Sequence, residues 1–410
     1  VALALPLLYL AANRGELGTS YGYAPSIVSS TLRPVYPFAY AVASGLAAWE
    51  SGGLTAAHVW ELAPVRSRYH VAAQALAPVV GLAWLMFLVP VGVALAHAGT
   101  LPTVDSLRPL AVALPLSVAH AVIGFGIGRR TKRLISVPVL FPATWVLVAF
   151  PVAVEPLWLR HLSGGYPMDL QFGEVATLGS LLPHLMLTGG AALAVALVWL
   201  RRGTPGLRVA LSAVVAVAGT LGAYAMVNGL GANAPVLSGR APMTCVGSAP
   251  KVCMPTATAS DIPSVRTNAV AVLDDLRAAG VTPTVEVITD NLGDGRHPRA
   301  STAKTMRVPL TRAAAAGKVR FAVLSGSVRI PCAQPDLAKG RAANMWAAEV
   351  TGQEAAYRAR MNLEPEVSDD DSEASLKRVS AVVDKVRAKS SGEQARWYAD
   401  MINAACRGTA

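Results

Sequence analysis

The side chains able to do chemistry fall into three groups. Glu50, Glu61, Arg66 and Arg68 lie in a short polar elbow between two apolar runs. A charged bend of this kind offers docking contacts to a partner, with interfacial anchoring or local ion pairs worth about 1 kcal/mol or less as the plainer role. His120 lies inside an apolar run, where an ionisable group marks a pathway or a helix-to-helix hydrogen bond. The chain has four cysteines, Cys245, Cys253, Cys332 and Cys406, and the apolar half has none of them. An even set so placed predicts two disulfides in an oxidising compartment. Three pairings are possible; the favoured one makes Cys245–Cys253 a local clip and Cys332–Cys406 a long-range staple. The spacing suits a zinc clip poorly, with only His297 nearby.

Other candidates weigh toward structure. His297 follows Asp290, Asp294 and Arg296, but a segment such as Asn291-Leu292-Gly293-Asp294-Gly295 reads as a solvated turn. Asp369-Asp370-Asp371 lacks the spaced ligands and glycine of a calcium loop and reads as an acidic turn. Neither the metalloprotease H-E-x-x-H nor the G-x-S-x-G elbow occurs, and no G-x-x-x-x-G-K-[ST] phosphate loop is present. The expectation is a protein that is not an enzyme, without catalytic, cofactor-binding or metal-binding residues.

Composition supplies the setting. Of 410 residues, 53% are hydrophobic and 15% charged, against roughly 25% charged in ordinary soluble domains. The apolar character is confined to residues 1–230, predicting a transmembrane domain there and a disulfide-containing extracytoplasmic domain over 231–410. Val1 to Ala12 is too short to span alone, so the chain is expected to start within a helix. Residues 13–32 read as an external loop. Further spans are expected at Val35–Trp49, Val71–Ala98, Leu107–Gly128, Leu134–Val154, Leu181–Leu200 and Leu207–Leu230, seven in all. The membrane half holds 13 Lys and Arg. Nine of them (Arg66, Arg68, Arg129, Arg130, Lys132, Arg133, Arg201, Arg202 and Arg208) fall in loops this inventory puts inside, and four (Arg14, Arg33, Arg108 and Arg160) outside, as the positive-inside bias requires. The net charge of +11 therefore marks membrane orientation, and no nucleic-acid partner is expected. His97 and His184 fall near the expected interfaces. Trp158 and Tyr166, in the long external segment between Val154 and Leu181, fit an interfacial belt.

In the second half, residues 263–279 carry Val265, Ala269, Val272, Leu273 and Leu276 on one helical face. Residues 284–289 alternate as a strand and 319–324 read as another. Helices are expected over 336–354 and 372–389, and Ser391 with Gln394 reads as a capping box for a last helix. The fold class is an α-helical polytopic membrane protein joined to a helix-rich α+β soluble domain.

Leu46-Ala47-Ala48-Trp49-Glu50 followed by Trp60-Glu61-Leu62-Ala63-Pro64 resembles the second helix, cytoplasmic coupling segment and third helix of ABC-2 type transporter permeases, especially actinobacterial ones. The resemblance covers six helices, the elbow after the second, and an external insert between the fifth and sixth; the seventh helix and its domain are additions. It implies the membrane-spanning subunit of an exporter in the cell membrane, a homodimer working with a separate ABC ATPase gripped through Glu50, Glu61, Arg66 and Arg68. The competing expectation is a non-transporting membrane protein whose external domain senses or binds a ligand.

Overall fold

The computed structural model describes residues 21–62, 67–200, 203–332, 334–361 and 369–406, with side chains in the last range from 376 onward. The expected first run Val1–Ala12 lies outside the described residues, as do Arg66, Arg201 and Arg202. The chain divides into two units, Val1–Arg240 and Ala241–Ala410.

The first unit is a helix bundle. Its elements are α1 (Ala24–Leu32), α2 (Val35–Ala56), α3 (Arg68–His97), α4 (Val104–Gly128), α5 (Arg133–Ala149), α6 (Leu178–His184), α7 (Gly190–Val198) and α8 (Pro205–Val227). A π-helical turn over Leu185–Gly189 joins α6 to α7. Among the described residues five segments are long and apolar enough to cross a bilayer: Arg68–His97, Val104–Gly128, Arg133–Val152, Leu178–Val198 and Pro205–Val227. This is a membrane protein. The expected span at Val35–Trp49 is not among the five, although α2 is 22 residues long. Most of α2 is buried against α3, α4 and α5, so its surface needs small residues that admit neighbours rather than large apolar ones that face lipid.

Two expectations are corrected here. The external loop expected over residues 13–32 contains α1, whose Ile27, Val28 and Leu32 are fully buried. Two of its hydroxyls satisfy backbone groups, Ser30 donating to the Ile27 carbonyl and Ser29 accepting from the Leu170 N–H. Glu50-Ser51-Gly52-Gly53, read as the start of the elbow, are helical, because α2 runs on to Ala56. Gly52 permits a close approach: a Cβ there would lie 2.8 Å from that of Arg133.

The bundle is held tightest between α2 and α4. A Cβ at Gly124 would sit 2.1 Å from the Ser44 carbonyl oxygen, and one at Gly128 2.3 Å from that of Ala48. Both contacts advance by four residues, so the two helices run parallel with their backbones touching. Ser44 and Thr144 link α2 to α5 through their hydroxyls at 2.9 Å.

The second unit is built on a four-stranded sheet in the order β3-β4-β5-β6 (Met243–Val246, Lys251–Pro255, Val287–Asp290, Thr305–Val308). The first pair is antiparallel and the rest parallel. The parallel step from β4 to β5 needs a crossover, supplied by α9 (Ile262–Ala278). All five residues expected on its apolar face are buried, against Val252, Met254 and Ile288 of the sheet. Four more helices, α10 (Leu310–Ala315), α11 (Val319–Ser327), α12 (Leu337–Val350) and α15 (Ser391–Ala404), close the same core with α13 (Glu354–Met361) and α14 (Asp369–Arg387).

Residues 319–324 are therefore helical, not a strand. Their short apolar run has no decisive period, and Val319, Val323 and Leu324 end up on one buried face. The last helix is capped by Ser390 with Glu393, not Ser391 with Gln394. Gln394 turns inward, accepts from the buried Trp346 indole at 3.1 Å and donates to the Arg387 and Lys389 carbonyls. Asp369-Asp370-Asp371, expected as a turn, opens α14.

The cysteines form two disulfides, Cys245–Cys253 directly across the β3–β4 pair and Cys332–Cys406 with 74 residues of separation. By loop-closure entropy the long staple is worth about 4 kcal/mol and the short clip about 2.5 kcal/mol. Thermal unfolding of the purified protein should show Cys332→Ser to be the more destabilising of the two single replacements made with Cys245→Ser. Gly124→Ala should destabilise the membrane unit in detergent by about 1–3 kcal/mol of overpacking, seen as a lower unfolding temperature; Gly53→Ala, inside α2 with open space at its Cβ, is the control expected not to lower it.

Candidate functional site

Two regions of the membrane unit gather the side chains singled out by sequence. The first is the end of the bundle where α2 leaves and α3 begins. Glu50 and Glu61 are both exposed. Glu61 faces His58 Nδ1 at 3.2 Å, and Glu50 makes no ion pair among the described residues. Neither carboxylate pairs with Arg68, so the local salt-bridge role weighed for them does not hold for that arginine. Arg68 is the first residue of α3, behind a Ser67 cap, and its Nε is buried without a partner.

Sequence reading missed the aromatic part of this end. The Arg129 guanidinium lies over the rings of Trp60 and Trp199, 5.2 and 4.8 Å from their centroids, and Arg133 lies over Trp49 at 4.8 Å. Trp60, Trp199 and Phe125 meet edge to face, with centroids 5.2–6.3 Å apart. Cation–π contacts of this kind hold the arginines in place without neutralising them. Burial and the neighbouring Arg68 and Arg130 push the Arg129 guanidinium below its usual value, yet arginine stays charged. Arg129 and Arg133, seated on tryptophan rings, thus make a basic girdle at this end of the bundle, where Glu50 and Glu61 stand exposed.

The second region surrounds His120. Between α5 and α6 the chain leaves helix and runs through short 3-10 turns at Phe150–Val152 and Leu157–His161 to β1 (Val175–Ala176), which pairs with β2 (Val236–Leu237). This insert packs into the bundle: Tyr166, Met168 and Leu170 are buried with Tyr36, Tyr40, Phe87 and Leu116. Tyr166 is only 3% exposed, which corrects its expected place in an interfacial belt. Trp158 stacks edge to face on Tyr224 at 5.1 Å.

The insert's backbone is satisfied by side chains from the helices. Tyr40 donates to the Gly164 carbonyl at 3.1 Å, and the Gly164 N–H donates to His184 Nδ1 at 3.0 Å. Tyr23 donates to the Glu174 carbonyl and Arg108 to that of Ala176, while Arg33 pairs with Asp169. His120 stacks on Tyr40 with ring centroids 4.6 Å apart, and its Nε2 is closed off from solvent without a hydrogen-bond partner. Gly164 has φ +91°, and a Cβ there would meet the Tyr40 ring at 3.4 Å and His120 Nε2 at 3.8 Å. His184, expected near an interface, is fully buried, and so is His161. His161 Nε2 lies 2.9 Å from the Gly231 carbonyl, which can only accept, so that nitrogen carries the proton. Among the described residues no group of three metal-ligating side chains is close enough to hold an ion. The arrangement can relay or lend a proton or hydrogen bond, and it holds an irregular backbone inside a helix bundle.

In the second unit the acids near His297 have structural tasks. Asp290 is 2% exposed; it accepts from the Leu292 N–H at 3.0 Å and from both the N–H and hydroxyl of Thr311. Asp294, equally buried, accepts from Arg299 Nε at 2.8 Å and pairs with Arg307. Neither is presented to His297 as an acid–base partner by these bonds.

Residues 252–407 match the model of a family described as a domain of unknown function, DUF7224. Comparison with curated proteins and with solved structures finds no match. The matched stretch lies within the second unit.

Tyr40→Phe leaves the Gly164 carbonyl buried without its donor and should cost about 1–3 kcal/mol. Gly164→Ala adds the strain of a left-handed backbone. Unfolding in detergent, followed by tryptophan fluorescence, should rank Gly164→Ala at least as destabilising as Tyr40→Phe; an unchanged midpoint for both would show that the insert does not brace the bundle.

Proposed function

We propose that this chain is the membrane-spanning subunit of an ABC-type exporter of the ABC-2 kind, acting as a homodimer with a separately encoded ATPase. The observation that carries the reading is the irregular segment at Gly164. It touches His120, which lies about 24 Å along α4 from Val104 and about 12 Å from Gly128 at 1.5 Å per residue. Non-helical backbone at such a depth is tolerated only where protein buries it or where it borders a water-filled path, and proteins that move solutes are where such breaks are put to use. Its position between α5 and α6 matches the external insert of the permease plan.

In this reading α1 and α2 together make one further span beside the five apolar ones. The basic girdle faces the cytoplasm, as the positive-inside bias favours, and Glu50 and Glu61 are the charges offered to the ATPase. The second unit then lies outside the cell membrane, which is compatible with its two disulfides. His120 is the intramembrane polar group beside the path. The second reading, a non-transporting protein whose outer lobe captures a ligand, is favoured by the lobe having a hydrophobic core of its own.

Affinity purification of the intact protein from its native cells should recover an ABC ATPase, and Glu61→Lys or Glu50→Lys should reduce that recovery about tenfold while leaving expression unchanged. Recovery that is indifferent to both changes would remove the elbow from the interface. Impermeant thiol reagents, applied to intact cells after reduction, should label Cys245; labelling only after lysis would invert the orientation and with it the reading.

A further inference from the structure

Among the surfaces of the membrane unit, one slot has a shape and a charge that the transport reading does not use. It runs between α3, α4 and α7, has a volume of about 470 Å³, and extends along α3 from Tyr69 to Trp84 with Trp199 at the Tyr69 end. Its walls are alkyl and aromatic. The polar atoms of its two end residues are turned away, Tyr69 donating its hydroxyl to the Ala196 carbonyl at 2.8 Å and Trp84 its indole N–H to Ser117 Oγ at 3.1 Å and to the Leu114 carbonyl at 3.2 Å.

Shape and charge together select the occupant. Fifteen residues of helix make the slot ~22 Å long, a long apolar trough along which a single hydrocarbon chain can lie. At the Tyr69 end stand Arg68, whose buried Nε has no partner, and Arg129, whose guanidinium rests on the Trp199 ring that lines the slot. Among the described residues no carboxylate pairs with Arg68, Arg129, Arg130, Lys132 or Arg133. An apolar slot opening on uncompensated arginines at the rim of a bundle has the chemistry of a basic headgroup pocket between transmembrane helices.

We propose that this slot is a binding site for an anionic phospholipid, one acyl chain lying along α3 between Tyr69 and Trp84 and the phosphate held by Arg68 and Arg129. The bound lipid supplies the missing counter-charge where the girdle meets the helices. It also covers the exposed Ala73 and Ala77 of α3, two of the smallest residues in the wall.

The test uses the intact protein in mild detergent, with lipid retention read by native mass spectrometry. Dioleoyl phosphatidylglycerol should be retained about twentyfold better than dioleoyl phosphatidylcholine, and Arg68→Gln or Arg129→Gln should each cut that preference about fivefold, as expected of one cation apiece. Arg129→Lys should keep most of it. Ala77→Phe fills the slot and leaves every charge in place; it should abolish the retained lipid. Glycerol 3-phosphate at millimolar concentration should not displace phosphatidylglycerol. Equal retention of the two lipids by the unaltered protein overturns the proposal, as does a preference unchanged in Arg68→Gln and Arg129→Gln. Displacement by glycerol phosphate would make this a phosphate site rather than a lipid site, and Ala77→Phe changing the oligomeric state with lipid retention intact would assign the slot to a second copy. Should Arg129→Gln fail to fold, Arg68→Gln and Ala77→Phe decide the question by themselves.

Discussion

Backbone polar groups within a bilayer have no water to turn to, and that constraint accounts for most of what the membrane unit does with its side chains. Helices meet it internally. The insert between α5 and α6 cannot, and so Tyr23, Ser29, Tyr40, Arg108 and His184 each satisfy a backbone group of it. These partners come from four different helices. Their agreement on one segment ties those helices together through hydrogen bonds as well as through apolar packing.

That agreement needs the helices close together, and the glycines of α4 provide it. Gly124 and Gly128 let the α2 backbone touch α4, which brings Tyr40 over His120 one turn further along the same contact. With larger residues at either glycine the two rings would part and the Gly164 carbonyl would lose its donor. Lipid tails are as apolar as the helix surfaces, so close packing and buried hydrogen bonds drive association in place of the hydrophobic effect. α2, less apolar than the five spans, accordingly lies among its neighbours, whereas α8 faces outward with almost all of its length exposed.

The second unit follows the rules of water. Its sheet is covered by helices whose apolar faces repeat every three or four residues, and its one buried amide side chain, Gln394 among the described residues, is fully engaged by Trp346, Arg387 and Lys389. Buried carboxylates obey the same rule. Asp290 caps a 3-10 turn and ties it to α10; burial raises its pKa while the bonds from Thr311 and Leu292 oppose that rise.

Read by itself, the sequence determined the class of each half, the disulfide pairing that was favoured, and the α9 face down to its five buried residues, because composition, cysteine placement and a 3.6-residue period are local properties of the chain. It also marked His120 and the charged elbow. Only the tertiary structure decided that residues 50–53 continue a helix, that 319–324 are helical, that Ser29 and His184 serve the insert, and that Trp60 and Trp199 hold Arg129. Each of these turns on a partner more than a few residues away: glycine reads as a turn until a neighbouring backbone is seen against it, a short apolar run has no period of its own, and a polar residue in an apolar stretch declares its role only through the group it bonds.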